Sequence, residues 1–146
     1  MKMFRNFQVK KLIKKIDKNI IVKFGDRMEC EPTENTIYIA YTTNKIDKKT
    51  FMDYVKELDP QCPFSDITLG ILHEIGHCFT HDEDLEDDYN FCVELLSKLY
   101  QEHKLNDIQL NELYVRLELE TMATKWALDF ARENESFVRK LEKLVM

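Results

Sequence analysis

Apolar residues recur along the chain in helical and strand rhythms. Val9, Leu12, Ile13 and Ile16 follow three- and four-residue steps and predict a helix from about Phe4 to Lys18. Asn19–Phe24 (N-I-I-V-K-F) is a short β-branched run that predicts a strand, closed by a turn at Gly25-Asp26. Asn35–Tyr41 (N-T-I-Y-I-A-Y) predicts a second strand, and the stretch between, Glu29 to Asn35 with Pro32, predicts a loop. Phe51, Tyr54, Val55 and Leu58 mark a helix that ends near Asp59-Pro60, because a residue before proline disfavours helical geometry. Ser65 or Asp66 caps the next helix, which runs to about His81. It carries Ile67, Ile71, Ile75 and Cys78 on one face, with Leu72 and Phe79 beside them. Phe91, Val93, Leu95, Leu96, Leu99 and Tyr100 predict another helix, and Asn106 or Asp107 opens a long one that reaches about Arg132. After a break at Asn134–Ser136, Phe137–Val145 forms a last short helix. There is no internal repeat, low-complexity tract or linker. The pattern predicts one domain over residues 1–146, of α+β class, with a small N-terminal sheet and a helical C-terminal half.

Composition agrees with that picture. A hydrophobic share of 44% and an aromatic share of 11% are enough for a core and exclude a disordered chain. The net charge of −6 is unevenly spread. Lys2, Arg5, Lys10, Lys11, Lys14, Lys15, Lys18 and Lys23 crowd the N-terminal segment. A basic arm for nucleic acid is one meaning of such a segment. Here the lysines alternate with apolar residues at helical spacing, which points instead to a solvated face of an amphipathic helix; nucleic acid is not the expected partner. The acidic run Asp82, Glu83, Asp84, Glu86, Asp87 and Asp88 predicts a solvated loop that could tune the approach of a cationic substrate. Met1 to Val22 holds no apolar run of signal-peptide or membrane-span length, so a cytoplasmic protein without a membrane partner is expected. Cys30, Cys62, Cys78 and Cys92 form no C-x-x-C pair and are expected to be free, mostly buried thiols.

The candidate chemistry lies in His73-Glu74-Ile75-Gly76-His77. On a helix, histidines four apart share one face and can reach one metal ion from the same side. The glutamate after the first histidine then stands beside the open position, where it can take a proton from water, the arrangement of a zinc hydrolase. Gly76 costs about 1 kcal/mol of helix propensity against alanine, which a close helix crossing or a crowded metal would explain. Catalytic zinc usually takes a third protein ligand. His81 lies about 9 Å along the axis from the midpoint of the two histidines, too far to share an ion in a straight helix. It is more readily a neighbour of the site or a helix-end residue. His103 has no positional support. The long helix offers Glu112, Glu118 and Glu120. With Glu118 at zero and about 100° added per residue, Asn111, Lys125 and Asp129 fall beside it, so Glu118 faces water. Glu120 falls at about 200°, among Leu113, Ala127 and Ala131. A carboxylate on an apolar face calls for a cation. The histidine helix could present one as a metal; a buried Lys or Arg, or a rotated helix, are the alternatives.

These residues resemble a known family. His73–His81 (H-E-I-G-H-C-F-T-H) resembles the H-E-x-G-H-x-x-x-H segment of ImmA/IrrE-type metallopeptidases, and Glu120–Ala127 (E-T-M-A-T-K-W-A) resembles their E-x-x-A-N-x-F-A segment. Thr124 and Trp126 stand where that family usually carries Asn and Phe, and no L-M-P-like sequence follows Ala127. The resemblance covers roughly Thr36 to Phe130. It implies a zincin-like metallopeptidase core, with His73, His77 and Glu120 as Zn2+ ligands and Glu74 as general base. It further implies cleavage of a protein or peptide substrate. Family members are often carried by phage or mobile elements and act on repressors, which implies a regulatory protein as the substrate class. The oxyanion of a peptidase needs a donor beyond the metal; Tyr114 and His81 are candidates, as are Tyr38, Tyr41 and Tyr89. The strand Thr36–Tyr41 could pair with an extended substrate or serve as an ordinary internal strand. The alternative function is a zinc-containing regulatory module that binds protein and cleaves little. Retention of Glu74 argues against it, since structural zinc needs no base.

Overall fold

The structure, a computed structural model, describes residues 2–146. Helix α1 (Lys2–Ile16) leads to strands β1 (Ile21–Phe24) and β2 (Glu29–Glu31), a 3-10 turn (Pro32–Glu34) and strand β3 (Thr36–Ile39). Helices α2 (Lys45–Leu58), α3 (Asp66–Thr80), α4 (Glu83–Gln101), α5 (Asp107–Tyr114), α6 (Glu118–Glu133) and α7 (Glu135–Val145) follow. The class is α+β, with a small N-terminal sheet and a mostly helical remainder.

The sheet runs β1-β3-β2, with β3 parallel to β1 and antiparallel to β2. The segment expected as a loop therefore holds a strand. Glu29-Cys30-Glu31 lacks the β-branched signature and owes its extended state to pairing with Thr36–Tyr38. Asn35, at φ 51, takes the left-handed turn that brings β3 back alongside β2, a conformation asparagine tolerates. Both edges of β3 are occupied, so Thr36–Tyr41 is an internal strand and cannot add a substrate strand. The free edge on that side belongs to β2.

Helix α3 is the axis of the fold. Ser65 caps its first turn, accepting from the Thr68 backbone N–H. The Glu142 carboxylate of α7 clamps the same turn, accepting from Ser65 N at 3.0 Å, from Ser65 Oγ at 3.0 Å and from the Thr68 hydroxyl. From Ile67 to Gly76 every residue but Gly70 is buried. The single apolar face expected of this helix is thus a burial on nearly all sides, because β2 and β3 cover one flank while α2, α6 and α7 cover others. Ile71, Leu72 and Ile75 join Ile37 and Ile39 of β3, Val9 and Ile13 of α1, and Val138 and Leu141 of α7 in one core. Burying a side chain of this size contributes roughly 1.5–3 kcal/mol.

Other expectations are corrected. The acidic run is the first turns of α4, not a loop: Asp82 caps the helix and Glu83, Asp84 and Glu86 sit where the helix dipole favours negative charge. The long helix after Asn106 is two helices. Asn106 and Gln109 form a capping box at the start of α5, and the chain becomes extended at Leu117 (φ −58, ψ 145) before α6. The break lets α5 lie against α2 and α4 while α6 crosses α3. Leu113 consequently does not share a face with Glu120; it is on α5 and exposed. The four cysteines are free and half-buried rather than mostly buried. Among the described residues, no helix is long and apolar enough to cross a membrane.

Candidate metal centre

The centre is built on the crossing of α3 and α6. A Cβ placed on Gly76 would lie 2.6 Å from the Ala123 carbonyl oxygen. The two backbones therefore touch, and only glycine fits at 76. The close crossing is the reason for a glycine inside the motif. Glu120 stands about one turn before Ala123, and His73 about one turn before Gly76, so contact at the crossing sets the carboxylate against the imidazoles. His73 Nε2 lies 3.1 Å from Glu120 Oε1 and 3.1 Å from His77 Nε2; His77 Nε2 lies 3.0 Å from Glu120 Oε2. Ligand atoms of all three residues fall within 4.8 Å of one another. Glu120 is buried at 5% exposure and Glu118 is exposed, as the angular argument separated them.

Surrounding side chains fix these groups. The Thr124 hydroxyl donates to the Glu120 backbone carbonyl at 3.0 Å, so its oxygen can only accept from His73 Nδ1, 2.9 Å away. That assigns the Nδ1–H tautomer to His73 and leaves Nε2 with its lone pair toward Glu120 and His77. The Phe51 ring of α2 meets the His73 ring edge-on, with centroids 5.6 Å apart. On the other side, the Tyr89 hydroxyl of α4 donates to Glu120 Oε2 at 2.9 Å. The Tyr114 hydroxyl is 2.9 Å from that of Tyr89. Since the Tyr89 proton is committed to Glu120, Tyr114 donates to Tyr89.

The donor set fits a zinc ion. Ligand atoms of a tetrahedral zinc with bonds near 2.0 Å stand about 3.3 Å apart, close to the separations here. A carboxylate converging with two imidazoles in a buried space also suits a bound cation. Burial alone would raise the Glu120 carboxyl; its contacts with the His73 and His77 imidazoles reverse this and hold it well below the usual carboxylate range. Burial opposes charge on His77, yet the hydrogen bond to Glu120 leaves its pKa raised. Burial pushes the Glu74 carboxyl up, against the lowering pull of the two histidines. Burial, reinforced by the Glu120 charge, raises both Tyr89 and Tyr114, so both are hydroxyl donors at neutral pH.

Two cavities meet at the centre. One, of about 270 Å³, is lined by His77, His81, Glu86, Tyr89 and Cys30; the other, of about 440 Å³, by Phe51, His73, Thr124, Asp47 and Lys48. Glu74, Glu120, Tyr114, Met28 and Glu29 border both. The approach to β2 thus opens beside the convergent donors. His81 ends α3 as its C-cap and stands outside the ligand group. Its Nε2 is 3.7 Å from Glu86 Oε2 and has no hydrogen-bond partner, and it faces the first cavity. His103 is exposed in the turn before α5, where φ is 60. Cys78 stays out of the ligand set, as its position on the helix required; its Sγ lies 3.5 Å from that of Cys30.

Sequence reasoning missed Thr124, which it treated only as a departure from the Asn of a related motif. The signal was there: Thr124 lies four residues after Glu120, on the same helix face. Phe51 gave no such signal, since its contact with His73 depends on how α2 packs. No family profile, characterised protein or solved structure matches this chain.

Proposed function

We propose that the protein is a zinc-dependent endopeptidase with a zincin-like core. The observation that carries this reading is the convergence of His73, His77 and Glu120 within 4.8 Å, with Glu74 on the same helix bordering both cavities. Bound zinc would supply Lewis acidity, drawing the pKa of water toward about 7 and polarising a substrate carbonyl. His73, His77 and Glu120 would hold the ion, and the Thr124 contact keeps His73 in the tautomer that ligation needs. Glu74 accepts the proton of the attacking water and passes it to the departing amine. Tyr114 and His81 line the first cavity, where either can donate to an oxyanion formed there, Tyr114 once it turns from Tyr89. The free edge of β2 is where an extended peptide can add as a strand, bringing a peptide bond past Glu74. The resemblance to ImmA/IrrE-type enzymes supports a regulatory protein such as a repressor as substrate.

The experiment is elemental analysis of protein purified without chelator, paired with a peptidase assay. The wild type should carry about one zinc per chain, and His77→Ala and Glu120→Ala should lose it. Glu74→Gln should keep the zinc and lose cleavage by a factor of about a hundred or more. Failure of the wild type to take up zinc ends the hydrolase reading. Zinc uptake with a biological effect that survives Glu74→Gln makes the protein a zinc-containing binding module instead.

A further inference from the structure

Beside the metal centre lies a second reactive pair that the proposed hydrolysis does not use. Cys30 of β2 and Cys78 of α3 approach to 3.5 Å between sulfur atoms, although they are 48 residues apart in sequence. We propose that Cys30 and Cys78 form a redox modification site, in which a peroxide converts the two thiols into a disulfide that ties β2 to the metal-bearing helix.

Three features support this. The sulfur atoms are already in contact, and a disulfide of about 2.05 Å asks them to close by roughly 1.5 Å. One partner is free to make that move: β2 has only three residues and pairs on one side alone, whereas Cys78 belongs to the most deeply packed helix. An oxidant also has a way in, because Cys30 lines the 270 Å³ cavity together with His77 and Glu74, and both cysteines are half-buried rather than sealed. Cys62 borders a separate hollow beneath α6 with Pro63 and Arg132, and Cys92 lies on α4.

The chemistry balances with hydrogen peroxide as the two-electron oxidant. One of the two sulfurs attacks a peroxide oxygen; an S–O bond forms, the O–O bond breaks and one water leaves. The other sulfur then attacks the oxidised one; the S–S bond forms, the S–O bond breaks and a second water leaves. The two thiol protons end in the two waters, and the two thiols have lost two electrons to peroxide. The product fixes the strand that borders the cavity to the residue following His77.

The test treats the full chain with hydrogen peroxide and follows intact mass and a non-reducing peptide map. The wild type should lose about 2 Da, yield a linked peptide containing Cys30 and Cys78, and recover its mass with dithiothreitol. A Cys62→Ser/Cys92→Ser variant should behave identically, while Cys30→Ser should form no intramolecular link. A gain of oxygen at Cys30 or Cys78 in place of the link, a link through Cys62 or Cys92, or an unchanged mass would each overturn the proposal. None of these readouts depends on zinc or on peptide cleavage.

Discussion

The two sides of the candidate metal centre are built differently. The α3–α6 crossing is packed to backbone contact, with Leu119, Glu120, Ala123, Thr124, Ala127, Leu128 and Ala131 of α6 all buried against it. The α4–α5 side has no fully buried side chain, and leaves Phe91, Leu95, Ile108 and Leu113 exposed. Yet Tyr89 and Tyr114, which reach Glu120 in sequence, come from that side. The ligand atoms are thus set by packing, which allows little movement, and the hydroxyl groups by hydrogen bonds on weakly buried helices. Packing gives a centre its fixed geometry. Sparse burial leaves a wall able to open locally at low cost.

The strongest way to break this contrast is Gly76→Ala. Alanine adds about 1 kcal/mol of helix propensity, but its Cβ would meet backbone that cannot rotate aside. A net loss of about 2–3 kcal/mol in urea unfolding is expected, with weakened zinc binding because Glu120 moves away from the histidines. Unchanged stability would mean that the helices do not touch at Gly76. Thr124→Val comes next. It keeps the shape and removes the acceptor of His73 Nδ1–H, so zinc affinity measured against a chromophoric chelator should fall by about 10–100-fold. An affinity equal to wild type would show that Thr124 does not set the tautomer. Tyr89→Phe has the smallest effect and sharpens the contrast. Zinc affinity should fall by about tenfold or less, and hydrogen exchange should quicken in α4 while α3 and α6 keep their protection. Faster exchange spread over α3 and α6 would mean that the two sides unfold as one unit.

The sequence carried more of the packed side than of the open one. His73, Glu74 and His77 are legible because a helix repeats its faces every three to four residues. Glu120 is legible because a carboxylate at an apolar position calls for a counter-charge. Both inferences need only local periodicity. The break at Val115–Leu117 was not legible, since no proline or glycine marks it and the apolar spacing runs on through it. The strand at Glu29–Glu31 was hidden for a related reason: its state comes from pairing with β3, not from its own residues. The acidic run was misread because charge density resembles a loop, while the same charges suit the first turns of a helix. The Tyr89 contact with Glu120 depends on how α4 leans across the site, which no spacing rule records.

The Glu142 clamp on Ser65 and Thr68 has a consequence for the order in which the molecule is made. A chain leaving the ribosome delivers His73, His77 and then Glu120, but the carboxylate that closes the first turn of α3 arrives twenty-two residues after the last of them. The core residues Val138 and Leu141 arrive in the same late stretch. Domains fold as units during synthesis, so this centre reaches its final form only once α7 has emerged rather than when its ligands emerge. Until then the nascent chain presents two histidines and a carboxylate on helices that nothing yet holds in register.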